Sequence, residues 1–202
     1  MLVDALLPLS FLEAVRAVDR PEFDPDTEFV DELRNKRLGL SDTVYAQIRR
    51  YAEAVRKQER QRYEEAVAIA RLIGRRPDAE SVFRDAGHFL AQQAFERLPR
   101  TSRQLVRALP ALLARPVALR QVRKVARRYF GGTVSRVGHA LLLEVPTSVT
   151  QDSAPRSAGC AYYESGFGEI LRLLVDDDGA VVHVRCASRA EGACQWRAEW
   201  RR

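Results

Sequence analysis

The period of the apolar pattern changes at Gly131-Gly132, and that switch constrains the fold more than any other feature of the chain. Ahead of it, apolar side chains recur every three or four residues, as in helices buried along one side. Behind it, 133–137, 140–145, 180–186 and 193–200 alternate or run apolar in short stretches, as strands do. Residues 161–175 return to helical spacing, with Ile170, Leu171 and Leu174 on one face. Helices first and strands later imply an α+β fold rather than a parallel doubly wound one. The expected architecture is a helical N-terminal half packed on a small, mostly antiparallel sheet.

Ser10 and Glu13 form a capping-box pair, so a helix is expected at about 10–19, broken by Pro21 and Pro25. A second short helix is expected from Asp26 or Thr27 to Leu33, with a stop at Gly39. This divides the chain into a helical extension, 1–40, and an α+β domain, 41–202. The longest helical pattern opens at Ser41 or Asp42 and runs to about 73. Val44, Ile48, Tyr51 and Val55 form its seam, which lapses at Gln58 and Arg62 and resumes at Tyr63, Val67, Ala70 and Ile73. Such a stripe needs an apolar partner. That partner is either the chain's own domain or a second copy, giving a homodimer through helix 43–73. Helices at about 79–97, 102–114 and 117–130 follow, the last two separated by Pro116. The polar stretch 147–159 reads as a loop and 176–179 as a tight turn.

With 46% hydrophobic and 30% charged residues in 202, the chain can build a core without disulfide staples. No run approaches the roughly 18 apolar residues of a membrane span. Residues 1–10 lack a basic leader, and the only three cysteines lie at or beyond position 160. A reducing, cytoplasmic setting is therefore expected.

All three cysteines and one of the three histidines fall between 160 and 194, in the order Cys160, His183-x-x-Cys186, Cys194. Zinc takes four tetrahedral ligands from thiolate and imidazole, and three Cys with one His is a common structural set. A closed four-ligand shell holds structure and leaves no position for a reacting water. Cys160 at a helix start is favoured as a thiolate. Cys186 ends one strand and Cys194 begins the next. His183 and Cys186 are three apart, so in a regular strand they face opposite sides. A bulge or strand end near Arg185 must turn them together, or Glu164 or Glu191 supplies the fourth ligand. The competing readings are cysteines that only fill the core, and redox chemistry.

The segment His183-Val184-Arg185-Cys186-Ala187, followed by Glu191-Gly192-Ala193-Cys194-Gln195-Trp196, resembles the C-terminal signature of 4-vinyl-reductase domains. There a strand ends in cysteine, a glycine-containing loop follows, and a second cysteine opens the last strand. Gly159-Cys160-Ala161-Tyr162-Tyr163 matches the upstream cysteine at the start of the preceding helix. In zinc-bearing members an acidic residue stands three before the middle cysteine; here that position is His183. The resemblance covers 159–202. It implies an α+β fold similar to that of transport-particle subunits, a structural zinc, a dimer, and an apolar ligand pocket between helices and sheet. It also implies a role as an effector-sensing domain or in tetrapyrrole metabolism.

From Arg97 to Leu143 there are 11 basic residues and no Asp or Glu, within a net charge of +6. Arg120, Arg123, Lys124, Arg127 and Arg128 take one side of a helix, and Arg100, Arg103 and Arg107 repeat the theme one helix earlier. This stripe, 97–136, is either a solvated face or a site for nucleic acid or an acidic partner protein. No helix-turn-helix, finger or RNA-binding signature accompanies it.

The chain carries no P-loop, dinucleotide glycine pattern or nucleophile elbow. Gly166-Phe167-Gly168 reads as close packing, His88 as a core histidine and His139 as a turn residue. Ser165 has no base nearby in sequence. The expectation is a non-catalytic regulatory domain that binds a small apolar or aromatic ligand or a tetrapyrrole and signals through a partner. The alternatives are an assembly subunit without a small ligand and a polyanion-binding regulator. An enzyme is the least supported.

Overall fold

The structure, a computed structural model, describes residues 1–20, 39, 41–108, 111–175 and 179–199. The expected helix at 26–33 and the turn residues Asp176, Asp177 and Asp178 lie outside them. The fold is α+β, as the change of period implies.

The first element is a short strand, β1 (Leu2–Asp4), followed by helix α1 (Leu6–Asp19). The helix starts four residues earlier than the capping box suggests. Asp4 Oδ1 accepts the Leu6 N–H at 3.1 Å, while Ser10 is buried within the helix and donates to Leu7 O at 2.7 Å. Pro8 is tolerated because it sits in the first turn, where its missing N–H has no helical partner. Almost every side of α1 is buried, Leu6, Leu7, Leu9, Phe11, Leu12 and Val15 among them, so it forms part of the main core.

The long helix expected over 42–73 is two helices, α2 (Asp42–Arg56) and α3 (Tyr63–Ile73). They are interrupted where the seam lapses. Gln58 adopts a left-handed φ of 57°, and Arg60–Arg62 forms a strand, β2, antiparallel to β1. A short β-ladder overrides helical propensity because it satisfies backbone groups at the edge of the core. The first half of the seam packs against α1, leaving Val44, Ile48, Tyr51 and Val55 buried within one chain. That stripe therefore gives no argument for a second copy.

Helix α4 (Ala79–Glu96) leads into α5 (Arg100–Ala108) and α6 (Ala111–Val125). Pro116 does not separate two helices; it lies inside α6. The helix widens into a π turn over Ala126–Phe130 and ends at Gly131, whose φ of 64° suits glycine.

A four-stranded antiparallel sheet follows in the order β3-β4-β6-β5, from Thr133–Val137, Ala140–Val145, Val181–Arg185 (β5) and Cys194–Glu199 (β6). Before β5 runs helix α7 (Ala161–Val175), entered through a 3₁₀ turn, Pro155–Cys160. Helices α4 and α7 pack backbone to backbone. A Cβ on Gly87 would lie 2.2 Å from both Tyr162 O and Ser165 Oγ, and one on Gly166 would lie 2.9 Å from the Phe130 ring. Gly166 thus marks close packing, as its sequence context suggests.

The segment 147–154 is the expected loop, folded partly into the interior with Thr147 and Asp152 left exposed. Ser148, Thr150 and Ser153 are buried, and Thr150 Oγ1 donates to Gly159 O at 2.7 Å while Tyr63 Oη donates to Ser148 O at 2.9 Å. Its hydroxyls satisfy one another and the backbone, which is how a polar sequence can be interior. Between helices and sheet lies a run of touching rings: Phe83, Phe11, Tyr162, Tyr163, Trp196 and finally His183.

Candidate metal centre

The last ring of that run belongs to a cluster. Cys160, His183, Cys186 and Cys194 each offer a ligand atom, and these atoms all lie within 4.8 Å of one another. Cys160 closes the 3₁₀ turn ahead of α7, and Gly159 lets it sit there, because a Cβ at 159 would lie 2.7 Å from Thr150 O. Cys194 opens β6, whose alternation puts Cys194, Trp196 and Ala198 inward.

The parity problem of His183 and Cys186 is solved by a bulge. His183 pairs with Trp196 and Arg185 with Gln195, so two residues of β5 oppose one of β6. The three-residue step then behaves like two, and both side chains turn to the same side. A tight turn follows, in which the Arg189 and Glu191 N–H groups both donate to Cys186 O at 3.1 and 3.3 Å. It aims the Ala187 N–H at Cys194 Sγ, 3.3 Å away.

The geometry suits one ion. Cys160 and Cys186 Sγ are 3.9 Å apart, against about 3.8 Å for two sulfurs on a tetrahedral centre with metal–sulfur bonds near 2.3 Å. The three cysteines are free thiols, all buried. His183 Nε2 is buried with no hydrogen-bond partner, an orphan that a metal would satisfy. The Cys194 thiol is pulled well below its ordinary value, first by the hydrogen bond from Cys160 and then, against the cost of burial, by His183 and the Ala187 N–H. Cys160 is pushed up for the reciprocal reason, since it keeps the shared proton beside Cys194, and burial adds to this. A metal binding here would displace the protons that the thiols carry.

Neither reserve carboxylate is in the four-residue group. Glu191 instead supports it, accepting the Cys186 N–H at 2.8 Å and pairing with Arg189 at 3.2 Å. Glu164 pairs with Arg84 at 3.2 Å across a shallow cleft of about 400 Å³ that reaches Cys160 and His183. Ser157, with its Oγ 3.4 Å from Cys186 Sγ, is a neighbour that nothing in the sequence signalled. Three thiols and an imidazole could fill a tetrahedral shell.

The other singled-out residues fall elsewhere. His88 is half-exposed, 3.8 Å from the buried Glu169, and not a core histidine. Ser165 Oγ donates to Arg84 O at 2.7 Å and serves helix packing. Arg120, Arg123, Lys124, Arg127 and Arg128 line one cleft of about 1440 Å³, joined by Arg60 of β2. Arg60 was missed because the sequence places it on a continuous helix. Arg100 and Arg103 do not line this cleft; Arg103 lies over the Phe95 ring at 5.5 Å. The Arg107 side chain lies outside the described ones.

Among the described residues, no helix is long and apolar enough to cross a membrane. Compared with family models, curated proteins and solved structures, the chain matches none.

Proposed function

We propose that the ion is zinc and that the chain is a non-catalytic regulatory domain of the 4-vinyl-reductase type, working in the cytoplasm. The observation that carries this reading is the cluster of three cysteines and His183, with its ligand atoms within 4.8 Å and the His183 Nε2 unpartnered. Cysteine-rich tetrahedral sets favour zinc, and a filled shell favours a structural role. In this reading the domain binds a small apolar or aromatic molecule or a tetrapyrrole at the aromatic layer between helices and sheet. It passes that state to a partner, or to a second copy through a face other than the α2 stripe. Tyr162 Oη and Trp196 Nε1, buried there without hydrogen-bond partners, are the donors such a ligand would engage.

A second reading is favoured by the same layer. Tyr162, Tyr163 and Trp196 are at most 1% exposed and already fill the space between helices and sheet. An assembly subunit that binds no small ligand needs nothing more.

Elemental analysis of protein purified without an affinity tag or added zinc tests the metal, with about one zinc per chain expected. Organic extraction of the same preparation, followed by absorption and mass spectra, separates the two readings. A stoichiometric small molecule supports the sensor, and its absence supports the assembly subunit. No metal, with three thiols titrating freely, would make the cysteines core residues.

A further inference from the structure

A cleft of about 1440 Å³ lies near the start of α1, and its lining mixes two chemistries. Six of its residues are cationic: Arg120, Arg123, Lys124, Arg127 and Arg128 from α6 and the turn after it, with Arg60 from β2. On a helix these positions share one face over about 12 Å. The lining also carries apolar side chains, Pro99, Leu105, Pro116 and Val117, and Leu105 is 48% exposed. Among the described residues Asp4 is the only acidic one in the lining, and it is already paired with Arg128 at 3.0 Å.

Two of the cations are held in place. Arg128 is fixed by Asp4, and Arg123 Nε donates to Val134 O at 3.1 Å. Among the described residues, Arg60, Arg120, Lys124 and Arg127 pair with no carboxylate and are exposed. Uncompensated like charges gathered in a concave site repel one another, and a bound anion relieves that repulsion. At about 1440 Å³ the cleft also exceeds the roughly 300–1,000 Å³ of small-ligand pockets.

We propose that this cleft docks an acidic amphipathic segment of a partner protein. Its carboxylates would lie on the arginine row and its apolar side chains against Leu105, Pro116 and Val117. Guanidinium forks match carboxylates as two parallel hydrogen bonds, and an amphipathic segment in a groove uses both kinds of wall. A nucleic acid fits less well. Among the described residues the lining offers no aromatic ring for a base to stack on. A phosphodiester backbone leaves the apolar side chains of the lining without a role, and a concave surface cannot enter a duplex groove.

The test uses the full chain and fluorescence anisotropy with three labelled probes. These are an acidic peptide of alternating Glu and Leu pairs, polyglutamate of equal length, and single- and double-stranded oligonucleotides. The Glu-Leu peptide should bind at least tenfold tighter than polyglutamate, and both should weaken as salt rises. The combined R120E, K124E, R127E variant should lose binding while keeping its metal content and melting temperature, since among the described residues these side chains make no hydrogen bond or ion pair. R60E, on a different element, should weaken binding in the same direction if the triple variant is unstable. Leu105→Asn should weaken the Glu-Leu peptide and leave polyglutamate unchanged. Equal binding of the two peptides, tighter binding of an oligonucleotide, or full binding by the charge-reversed variants would each overturn the proposal. Because the cleft and the metal centre share no residue, failure here leaves the metal reading untouched, and the reverse holds as well.

Discussion

The His183 imidazole lies flat on the Trp196 indole, with ring centroids 4.9 Å apart and planes inclined by 17°. The two residues face each other across β5 and β6, at the last regular pair before the bulge. The stack fixes the plane of the imidazole and so the direction in which its nitrogens point. Residues that orient a metal-bound histidine affect affinity nearly as much as the ligands do. Trp196→Leu is therefore expected to weaken zinc binding about tenfold and to cost about 3 kcal/mol of stability through the lost ring volume. Chelator competition and urea unfolding measure the two effects separately. Undiminished zinc affinity in a folded variant would show that the stack does not orient the ligand.

Cys186→Ser removes a ligand that is fully buried. Zinc should fall well below one per chain, with a marked drop in melting temperature. The loss is about 4 kcal/mol if free zinc stands a thousandfold above the dissociation constant. Wild-type protein stripped by a strong chelator should melt where the variant does. An unchanged melting temperature and metal content in the variant would remove Cys186 from the site.

Glu191→Ala leaves every ligand in place but frees the Cys186 N–H and Arg189. The expected effect is a loss of zinc affinity of about tenfold or more, read by competition with a chromogenic chelator. Glu191→Gln, which can still accept the N–H, should recover part of the loss.

The α4–α7 contact gives a paired prediction. Gly87→Ala places a methyl 2.2 Å from Tyr162 O and Ser165 Oγ and should destabilise by about 2 kcal/mol or more. Gly168→Ala, two residues beyond Gly166 in α7, meets only Val181 Cγ2 at 3.4 Å. It should be neutral or stabilising by up to about 1 kcal/mol, because alanine restrains the unfolded chain and favours helix. Urea denaturation of both variants tests the contact, and equal effects would contradict it.

Glu169 is buried between the same helices and accepts two bonds from Arg172 at 2.8 Å and one from Gln92 at 3.3 Å. The Arg172 guanidinium holds its carboxyl below the ordinary range, against the opposing effect of burial. A depressed carboxyl stabilises the fold above its unfolded value and stops doing so as pH falls through the folded one. Glu169→Gln should therefore be less stable than wild type near pH 7, by about 1 kcal/mol given that Arg172 is half in solvent. The two proteins should converge below about pH 3. A constant difference across that range would mean that the ion pair is not its source.

The strands of the main sheet and the helix before β5 were legible in the sequence because burial on one face imposes a period that short stretches display. The metal cluster was legible because its residue types are rare in the chain and their spacing left only a bulge to be found. The β1–β2 ladder was not legible, since Leu2–Asp4 and Arg60–Arg62 are too short to carry a period and find each other only once folded. The burial of part of the loop at 147–154 was not legible for a related reason. Ser148, Thr150 and Ser153 look solvated until partners such as Tyr63 Oη and the Gly159 carbonyl are in place. Pro116 misled because a helix can absorb one missing hydrogen bond when its other face is packed, as Ala118 and Val122 are.

The absence of side chains at Gly87 and Gly166 has a mechanical meaning. Helix α7 begins beside a ligand cysteine and is gripped a few residues later by the backbone of α4 on one side and the Phe130 ring on another. Beyond that grip Glu169, Ile170, Leu171 and Leu174 are buried as well, so the helix is a beam clamped along its length. A thrust on the ring at the end of α6 presses on that beam close to Cys160.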